Sequence, residues 1–123
     1  MTSSPRSKYR PWDVVLVPFP YTERDHAKVR PAVVISNSAL ATATGMHYVA
    51  MITNAAHRPW TGDVPVSDLS AAGLPVESVV RPTKIATIDE QALIRVIGTL
   101  SKADRARVSA SIHKFLATKT EAT

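Results

Sequence analysis

The residues best suited to chemistry in this sequence are Arg30 and Thr53, which stand where polar loops meet predicted strands. Arg30 ends a long loop and precedes Pro31, and the backbone of a residue before proline is pushed toward extended geometry. Thr53 ends a strand predicted over residues 47–53. If the two strands are antiparallel neighbours, the start of one lies beside the end of the other. A guanidinium beside a hydroxyl supplies several hydrogen-bond donors, so the pair predicts a phosphate site.

The loops around this pair carry further groups that suit a single-stranded nucleic acid. The aromatic faces on which unpaired bases can stack are those of Phe19, Tyr21 and Trp60. The cations that would extend the positive surface are Lys28, Arg58, Arg81 and Lys84. The whole chain has 15 Lys+Arg against 10 Asp+Glu, a formal net charge of +5, which favours polyanionic partners.

Composition excludes several other kinds of site. The sequence has no cysteine, so disulfides and thiolate metal sites are excluded. The four histidines, which are His26, His47, His57 and His113, show no metal-ligand spacing, and the common nucleotide-binding and hydrolase motifs do not occur. We therefore expect no metal and no cofactor. With no secretory signal and no apolar stretch near the roughly 18 residues that span a membrane, we expect a cytoplasmic protein without a membrane partner.

Short strands must position these residues. We predict strands over residues 13–17, 32–36, 47–53, 62–66, 75–80, 82–87 and 93–97, with turns about every eight to twelve residues. This pattern predicts a mainly β domain with short α segments, built as a small antiparallel barrel or strongly coiled sheet. Ser101 then begins an amphipathic C-terminal helix that covers an open end or face. Its apolar stripe comprises Val108, Ile112, Phe115 and Leu116.

The chain divides into three parts by composition. Residues 1–12 form a basic segment that we predict to be a flexible arm, and residues 13–117 form a single folded domain. Residues 118–123 are predicted to be a disordered tail. The loop over residues 19–29 is long for a compact domain, and loops of this length are often functional.

Two segments, Asp13 to Pro20 (DVVLVPFP) and Lys28 to Ser36 (KVRPAVVIS), resemble the MazF/PemK family of toxins from bacterial toxin–antitoxin pairs. Later stretches agree with the family, namely MITN at 51–54, SVVRPTKIATID at 78–89 and LIRVIGTLS at 93–101. The resemblance covers roughly residues 13–117. It has one departure, because the family usually has a glycine where this chain has Trp12.

The resemblance implies an SH3-like barrel of the MazF/PemK/CcdB toxin superfamily, assembled as a homodimer, with a cognate acidic antitoxin as partner. It also implies a metal-independent, sequence-specific endoribonuclease that acts on single-stranded RNA and leaves 2′,3′-cyclic phosphate and 5′-OH ends. The catalytic Arg and Thr of the family correspond to Arg30 and Thr53. The residues that we expect to bind RNA are Phe19, Tyr21, Thr22, Lys28, Pro31, Asn54, Arg58, Arg81 and Lys84.

The group that moves protons stays open at this point. Arginine is effectively always protonated, so Arg30 suits the stabilisation of negative charge better than the role of a base. Three loop residues are candidate bases, namely Glu23, Asp25 and His26. Other functions also fit the sequence: a non-catalytic nucleic-acid-binding barrel, a gyrase-poisoning toxin of the same superfamily, or a degenerate toxin kept as a regulator.

Overall fold

The structure, a computed structural model, describes residues 7–18 and 28–117. Within these ranges the chain forms six strands: β1 (Asp13–Pro18), β2 (Val29–Val34), β3 (Met46–Asn54), β4 (Val64–Pro65), β5 (Ser78–Asp89) and β6 (Arg95–Thr99). It also forms three α-helices, which are α1 (Ser38–Thr44), α2 (Leu69–Ala72) and α3 (Lys102–Phe115), and a 3₁₀ turn at Glu90–Ala92. No helix among these residues is long and apolar enough to cross a membrane.

The strands form a single antiparallel sheet in the order β4-β5-β3-β2-β1-β6. The first strand of the chain therefore pairs with the last one, and β3 lies between β2 and β5. The 12-residue β5 shifts its register against β3, because Met51 faces Arg81 while Ala50 faces Ile85. The fold is a curled antiparallel half-barrel with short helices and a C-terminal helix, which confirms the predicted fold class.

Two apolar cores lie on opposite faces of this sheet. The first comprises Val14, Val33, Ala50, Ile52, Val64, Val66, Ala72, Leu74, Val80, Leu100 and Val108. The second comprises Val15, Val17, Ala32, Val34, Val49, Met51, Ala86, Ile88 and Leu93. Successive β1 residues Val14 and Val15 are both fully buried, one in each core. Burying one such side chain contributes roughly 1.5–3 kcal/mol, so the two cores provide most of the driving force for folding.

The C-terminal helix begins as predicted, with Ser101 as its N-cap. The Ser101 Oγ accepts a hydrogen bond from the backbone N–H of Asp104 at 3.3 Å. The buried Asp104 carboxylate accepts hydrogen bonds from both the N–H and the hydroxyl of Ser67, at 2.8 and 2.9 Å. Burial, the largest single influence, raises the pKa of Asp104, but these hydrogen bonds and the nearby Arg107 guanidinium outweigh it and lower the pKa overall. The helix is thereby fixed to the segment that follows β4.

Several strand boundaries differ from the prediction, including that of β6, which is predicted over 93–97 and spans Arg95–Thr99, and proline explains two of the differences. The predicted strands 75–80 and 82–87 are one strand, β5, because Pro82 lies in the register shift, outside the ladder with β3. Pro82 has no N–H to donate, but because it lies outside the ladder, no hydrogen bond between β5 and β3 is lost. Similarly, β2 begins at Val29 and contains Pro31, because the ladder between β2 and β3 begins only at Ala32.

Two short segments also differ from the prediction. The strand predicted over 62–66 is reduced to the two residues of β4. The sequence over residues 39–45 is small and polar and predicts a loop or a single helical turn, whereas the structure has the seven-residue α1 there. The side chain of Asn37 caps the N-terminus of α1, and Gly45 ends the helix with φ +74°. A left-handed glycine after a helix is a common stop signal.

Trp12 has an unusual backbone, with φ +73° immediately before β1. Its N–H donates to the carbonyl of Val34 at 2.7 Å, and its own carbonyl accepts from the N–H of Leu100 at 3.0 Å. Glycine adopts such a conformation without steric cost, which explains why a family built on this strand would favour glycine here. In this chain the indole packs against the first core, so its burial offsets the strain.

The segment before Trp12 contacts the start of β3 through a cluster that we call the His47 cluster, formed by Ser7, Tyr9, His47 and Glu90. The buried His47 Nε2 lies 2.8 Å from Glu90 Oε1 and 3.2 Å from Ser7 Oγ. The Ser7 hydroxyl also donates to the Glu90 carboxylate, and the Tyr9 ring packs edge-on against the imidazole. The division into arm, domain and tail stays a prediction.

Candidate active site

Arg30 and Thr53 occupy equivalent positions on neighbouring strands. The prediction that β2 and β3 are antiparallel neighbours is confirmed, with Ala32 opposite Met51. Extending this register by two residues places Arg30 opposite Thr53. Side chains alternate between the faces of a strand, so Arg30 points to the same face as Ala32, and Thr53 to the same face as Met51. Both therefore stand at the edge of the second core, just beyond the end of the β2–β3 ladder.

Thr53 is 4% exposed, and its hydroxyl contacts His57. The Thr53 Oγ1 lies 2.9 Å from His57 Nδ1. A tight turn brings the imidazole back: Asn54 Oδ1 accepts from the N–H of Ala56 at 2.8 Å, and the Asn54 carbonyl accepts from the N–H of His57 at 3.0 Å. This is the Asx-type turn that asparagine favours. Because His57 is exposed, it is the member of the pair that a ligand meets first.

Sequence reasoning missed the contact between Thr53 and His57. The sequence shows His57 as one of four histidines without metal-ligand spacing and gives no sign of its contact with Thr53. The available signal was local, because Asn54 is a strong turn former and His57 follows it by three residues. A turn that starts at Asn54 directs the side chain of His57 back toward the end of the strand.

Three cations from β2 and β5 lie within electrostatic reach of one another. The pKa of Lys84 is lowered, first by partial burial and then by the positive charges of Arg30 and Arg81. Arg81 faces Met51 across the β3–β5 ladder, in the same row as Ala32. The site therefore combines Arg30, Arg81 and Lys84 around the end of β3. A phosphate group placed there would meet a positive field from two sides.

Arg81 differs from the other predicted RNA-binding cations because it is 6% exposed. Its Nε lies 3.3 Å from Asp63 Oδ1, and its Nη2 donates to the carbonyl of Arg58. The guanidinium carbon stands 4.6 Å from the centre of the Trp60 ring, and the Lys84 Nζ stands 5.4 Å from it. Arg81 therefore supports the loop after β3 and keeps Trp60 in place, while adding its charge to the site.

The remaining predicted site residues divide into those that the structure describes and those that it does not. Lys28, Asn54 and Arg58 are exposed, and Pro31 is half-buried within β2. The residues that lie outside the described ranges are Phe19, Tyr21, Thr22, Glu23, Asp25 and His26. In the ranges that the structure describes, no three His, Asp or Glu side chains are grouped so as to hold a metal ion. The roles of all these residues stay predictions.

Comparison with known proteins identifies a family. Residues 10–116 match the family model described as "PemK-like, MazF-like toxin of type II toxin-antitoxin system". No curated protein matches the sequence. Solved structures with the same fold include the Mycobacterium tuberculosis toxin MazF-mt6, which is 24% identical with a TM-score of 0.66, covering 83% of this chain and 93% of that one.

Two further solved structures share the fold at lower identity. MazF from Deinococcus radiodurans is 20% identical with a TM-score of 0.71, covering 89% of this chain and 97% of that one. An endoribonuclease from a mycobacterial species, solved in complex with its cognate antitoxin, is 17% identical with a TM-score of 0.70. That match covers 92% of this chain and 99% of the other. At these identities the structural likeness establishes the fold.

Proposed function

The chain belongs to the PemK-like, MazF-like toxins of type II toxin–antitoxin systems, and from this premise we propose that it is a metal-independent endoribonuclease that cleaves single-stranded RNA. One observation carries the proposal. Arg30 and Thr53 stand opposite each other on one face of the sheet, with Lys84 and Arg81 beside them. This arrangement suits a phosphodiester, because a fixed guanidinium and a hydroxyl can hydrogen-bond the same phosphate oxygens.

The proposed reaction uses the 2′-OH of the substrate as the nucleophile. The 2′ oxygen bonds to phosphorus while the bond between phosphorus and the 5′ oxygen breaks, which gives a 2′,3′-cyclic phosphate and a 5′-OH. The 2′-OH loses a proton to a base, and the leaving 5′ oxygen gains one. Negative charge grows on the non-bridging oxygens, where Arg30 stabilises it and Thr53 donates a hydrogen bond. By analogy with oxyanion holes, one such donor contributes about 3–4 kcal/mol.

We propose that the base in this reaction comes from the loop over residues 19–29, of which residues 19–27 lie outside the described ranges. Glu23, Asp25 and His26 are the candidates, because they lie in the segment that leads to Arg30. A useful base needs to come within hydrogen-bond reach of the 2′-OH. The loop ends at Lys28 and Val29, directly before the proposed site.

The rest of the proposed RNA surface consists of cations and aromatic faces. Exposed Lys28 and Arg58 and half-buried Lys84 attract the phosphate backbone, and Trp60, 41% exposed, offers a stacking face. Asn54 and Pro31 adjoin Thr53 and Arg30 along the chain. Phe19, Tyr21 and Thr22 complete the proposed set of contacts from the preceding loop.

The proposed partners are an acidic antitoxin and a second copy of the chain. One structural relative was solved in complex with its cognate antitoxin. We infer that a cognate acidic antitoxin binds this chain, and that its carboxylates compete with RNA for the cationic face around Arg30. We also propose that the active form is a homodimer that cleaves RNA in the cytoplasm.

Purified protein incubated with a defined single-stranded RNA in EDTA tests the function. We expect cleavage with cyclic-phosphate ends, and a loss of about 100-fold or more in Arg30→Ala and in Thr53→Ala. Lys102→Ala, which removes an exposed cation from the start of α3, outside the β2–β3 pair, serves as the control and keeps full activity. Circular dichroism verifies that each variant is folded.

Two outcomes would contradict the proposal. Full activity in Arg30→Ala or Thr53→Ala excludes the proposed site. Intact RNA together with trapped gyrase–DNA complexes identifies a gyrase poison, and RNA binding without cleavage identifies a non-catalytic nucleic-acid-binding barrel.

A further inference from the structure

His57 differs from the other described histidines because it contacts a residue of the proposed site. His47 lies in the cluster with Glu90, and His113 bonds to the backbone and side chain of Ser109 within α3. His57 instead contacts the hydroxyl of Thr53 through Nδ1. The turn at Asn54 fixes this contact.

The protonation state of His57 determines what the Thr53 hydroxyl can do. A hydroxyl has one proton to donate. When Nδ1 of a neutral imidazole carries a lone pair, the Thr53 proton is directed to that nitrogen. In a protonated imidazole both ring nitrogens are donors, so Thr53 Oγ1 accepts from Nδ1–H and its own proton becomes available to another acceptor.

We propose that His57 is a positioning residue whose protonated form holds Thr53 Oγ1 as an acceptor, so that the Thr53 hydroxyl donates its proton to the phosphate of the bound RNA. This inference rests on the proposed function of the Arg30 and Thr53 site. It adds a residue to that site, and it identifies a group through which cleavage depends on pH.

The charges around the turn link His57 protonation to phosphate binding. Among the described residues, the cations nearby are Arg58 on the same loop, Arg30 on β2, and Arg81 and Lys84 on β5. The carboxylates nearby are those of Asp63, which bonds to Arg81, and of Glu77, whose carbonyl accepts from the N–H of Ala55 in the turn. A bound phosphodiester adds negative charge to this predominantly positive surface, and a nearby negative charge favours a protonated imidazole.

Four forms of the full chain test the proposal: the wild type, His57→Asn, His57→Ala and the control His113→Gln. The amide nitrogen of asparagine occupies a position similar to Nδ1 and donates at every pH, whereas alanine leaves the Thr53 hydroxyl without a partner. His113 is an exposed histidine on α3, outside the proposed site. Cleavage rates are measured between about pH 5 and 9, which spans the usual titration range of histidine.

We expect the wild-type and His113→Gln rates to fall with rising pH, with the same midpoint as the titration of His57 followed by NMR. In His57→Asn this fall disappears and the rate stays within about threefold of the wild-type low-pH value. In His57→Ala the fall also disappears, and the low-pH rate drops about tenfold, the usual effect of losing one hydrogen bond. A profile shared by all four proteins would overturn the proposal, as would a wild-type rate that rises through the His57 midpoint.

A binding experiment separates failure of this inference from failure of the proposed function. An oligonucleotide with 2′-deoxyribose lacks the nucleophile, so it binds without being cleaved. With this probe, NMR of the imidazole nitrogens should show a larger protonated fraction of His57 and no change at His113. If the wild type cleaves no RNA, the proposed function is wrong. If the wild type cleaves RNA but the titration of His57 does not change when this probe is added, the positioning role is wrong and the proposed function stands.

Discussion

Strand β3 has a histidine at each end, and the two have opposite surroundings. His47 stands near the start of the strand, is 2% exposed, and contacts Ser7, Tyr9 and Glu90. His57 stands just after the end of the strand, is exposed, and contacts Thr53 through one nitrogen. Residue type alone therefore does not distinguish a histidine that supports the fold from one that is available for chemistry. Burial and the number of contacts distinguish the two.

The His47 cluster has the composition of a hydrolase triad but not its geometry. In a triad, the carboxylate and the serine contact different nitrogens of the imidazole. Here Glu90 Oε1 and Ser7 Oγ both lie near Nε2, while Nδ1 is buried and has no hydrogen-bond partner within the described residues. No proton can pass from serine through the ring to the carboxylate. The cluster instead attaches the segment before Trp12 to the sheet.

The largest expected contrast between the two histidines is in stability. His47→Ala removes a buried ring and leaves Glu90 and Ser7 without their imidazole partner, so we expect the free energy of unfolding to fall by about 2–4 kcal/mol. His57→Ala removes an exposed ring and should change it by about 0.5 kcal/mol or less. Urea denaturation followed by circular dichroism measures both values. Equal losses in the two variants would refute the distinction drawn here.

Glu90 provides a second comparison, which is the dependence of the free energy of unfolding on acidic pH. Hydrogen bonds from Ser7, then from His47, lower its pKa below the ordinary value of 4.5. A carboxylate with a lowered pKa stabilises the folded state above its unfolded pKa, and this contribution is lost as the pH falls through the folded pKa. We expect Glu90→Gln to cost about 1.5 kcal/mol at neutral pH, and the difference from wild type to shrink below about pH 4.5. Glu77→Gln, at an exposed position, is the control. A difference that stays constant down to pH 3 would argue against the ionised bond.

Asn54 allows a test of the turn without altering either histidine. In Asn54→Ala the side chain that accepts from Ala56 is lost, so the turn that brings His57 to Thr53 is loosened. We expect a loss of stability of about 0.5–1 kcal/mol and a fall in RNA cleavage of about threefold to tenfold. The matched control is Asn37→Ala, which removes an Asx cap from the distant helix α1 and should leave cleavage unchanged. An effect of equal size in both variants would indicate general destabilisation rather than loss of the turn.

The smallest expected effect concerns Lys84. Replacing it with glutamine removes one positive charge near Arg30 and Arg81. RNA binding should weaken, and the slope of log affinity against log salt concentration should fall by about 0.7, the value for one phosphate contact on a single strand. Fluorescence anisotropy with the 2′-deoxy oligonucleotide measures the slope. An unchanged slope would remove Lys84 from the proposed RNA surface.

The sequence was sufficient for the features that depend on local pattern. Short runs of apolar and β-branched residues between turn signals predicted most of the strands, and antiparallel pairing of β2 with β3 predicted the juxtaposition of Arg30 and Thr53. Contacts between distant parts of the chain could not be predicted in this way. Ser7 and Glu90 are 40 and 43 residues from His47, and nothing in their local sequence indicates that they meet.

The backbone conformation around Pro82 and Trp12 could not be predicted from the sequence either. Pro82 signals a strand break, but the register shift in β5 accommodates it, so a single long strand results. Trp12 adopts a left-handed backbone that no local propensity favours for tryptophan, because pairing with Val34 and Leu100 imposes it. In both places tertiary hydrogen bonds override the preference of the individual residue.

The pairing of β1 with β6 also determines when this protein can fold during its synthesis. Leu100 and Val108, both fully buried, complete the core that Val14 begins, and the ribosome adds them after the other buried residues of that core. At roughly 5–20 residues per second, Arg30 and Thr53 are made several seconds before the strand and helix that close the domain. The nascent chain therefore contains Arg30 and Thr53 before β6 and α3, which complete the domain, have been made. The domain can complete its fold only after the residues of β6 and α3 have been made.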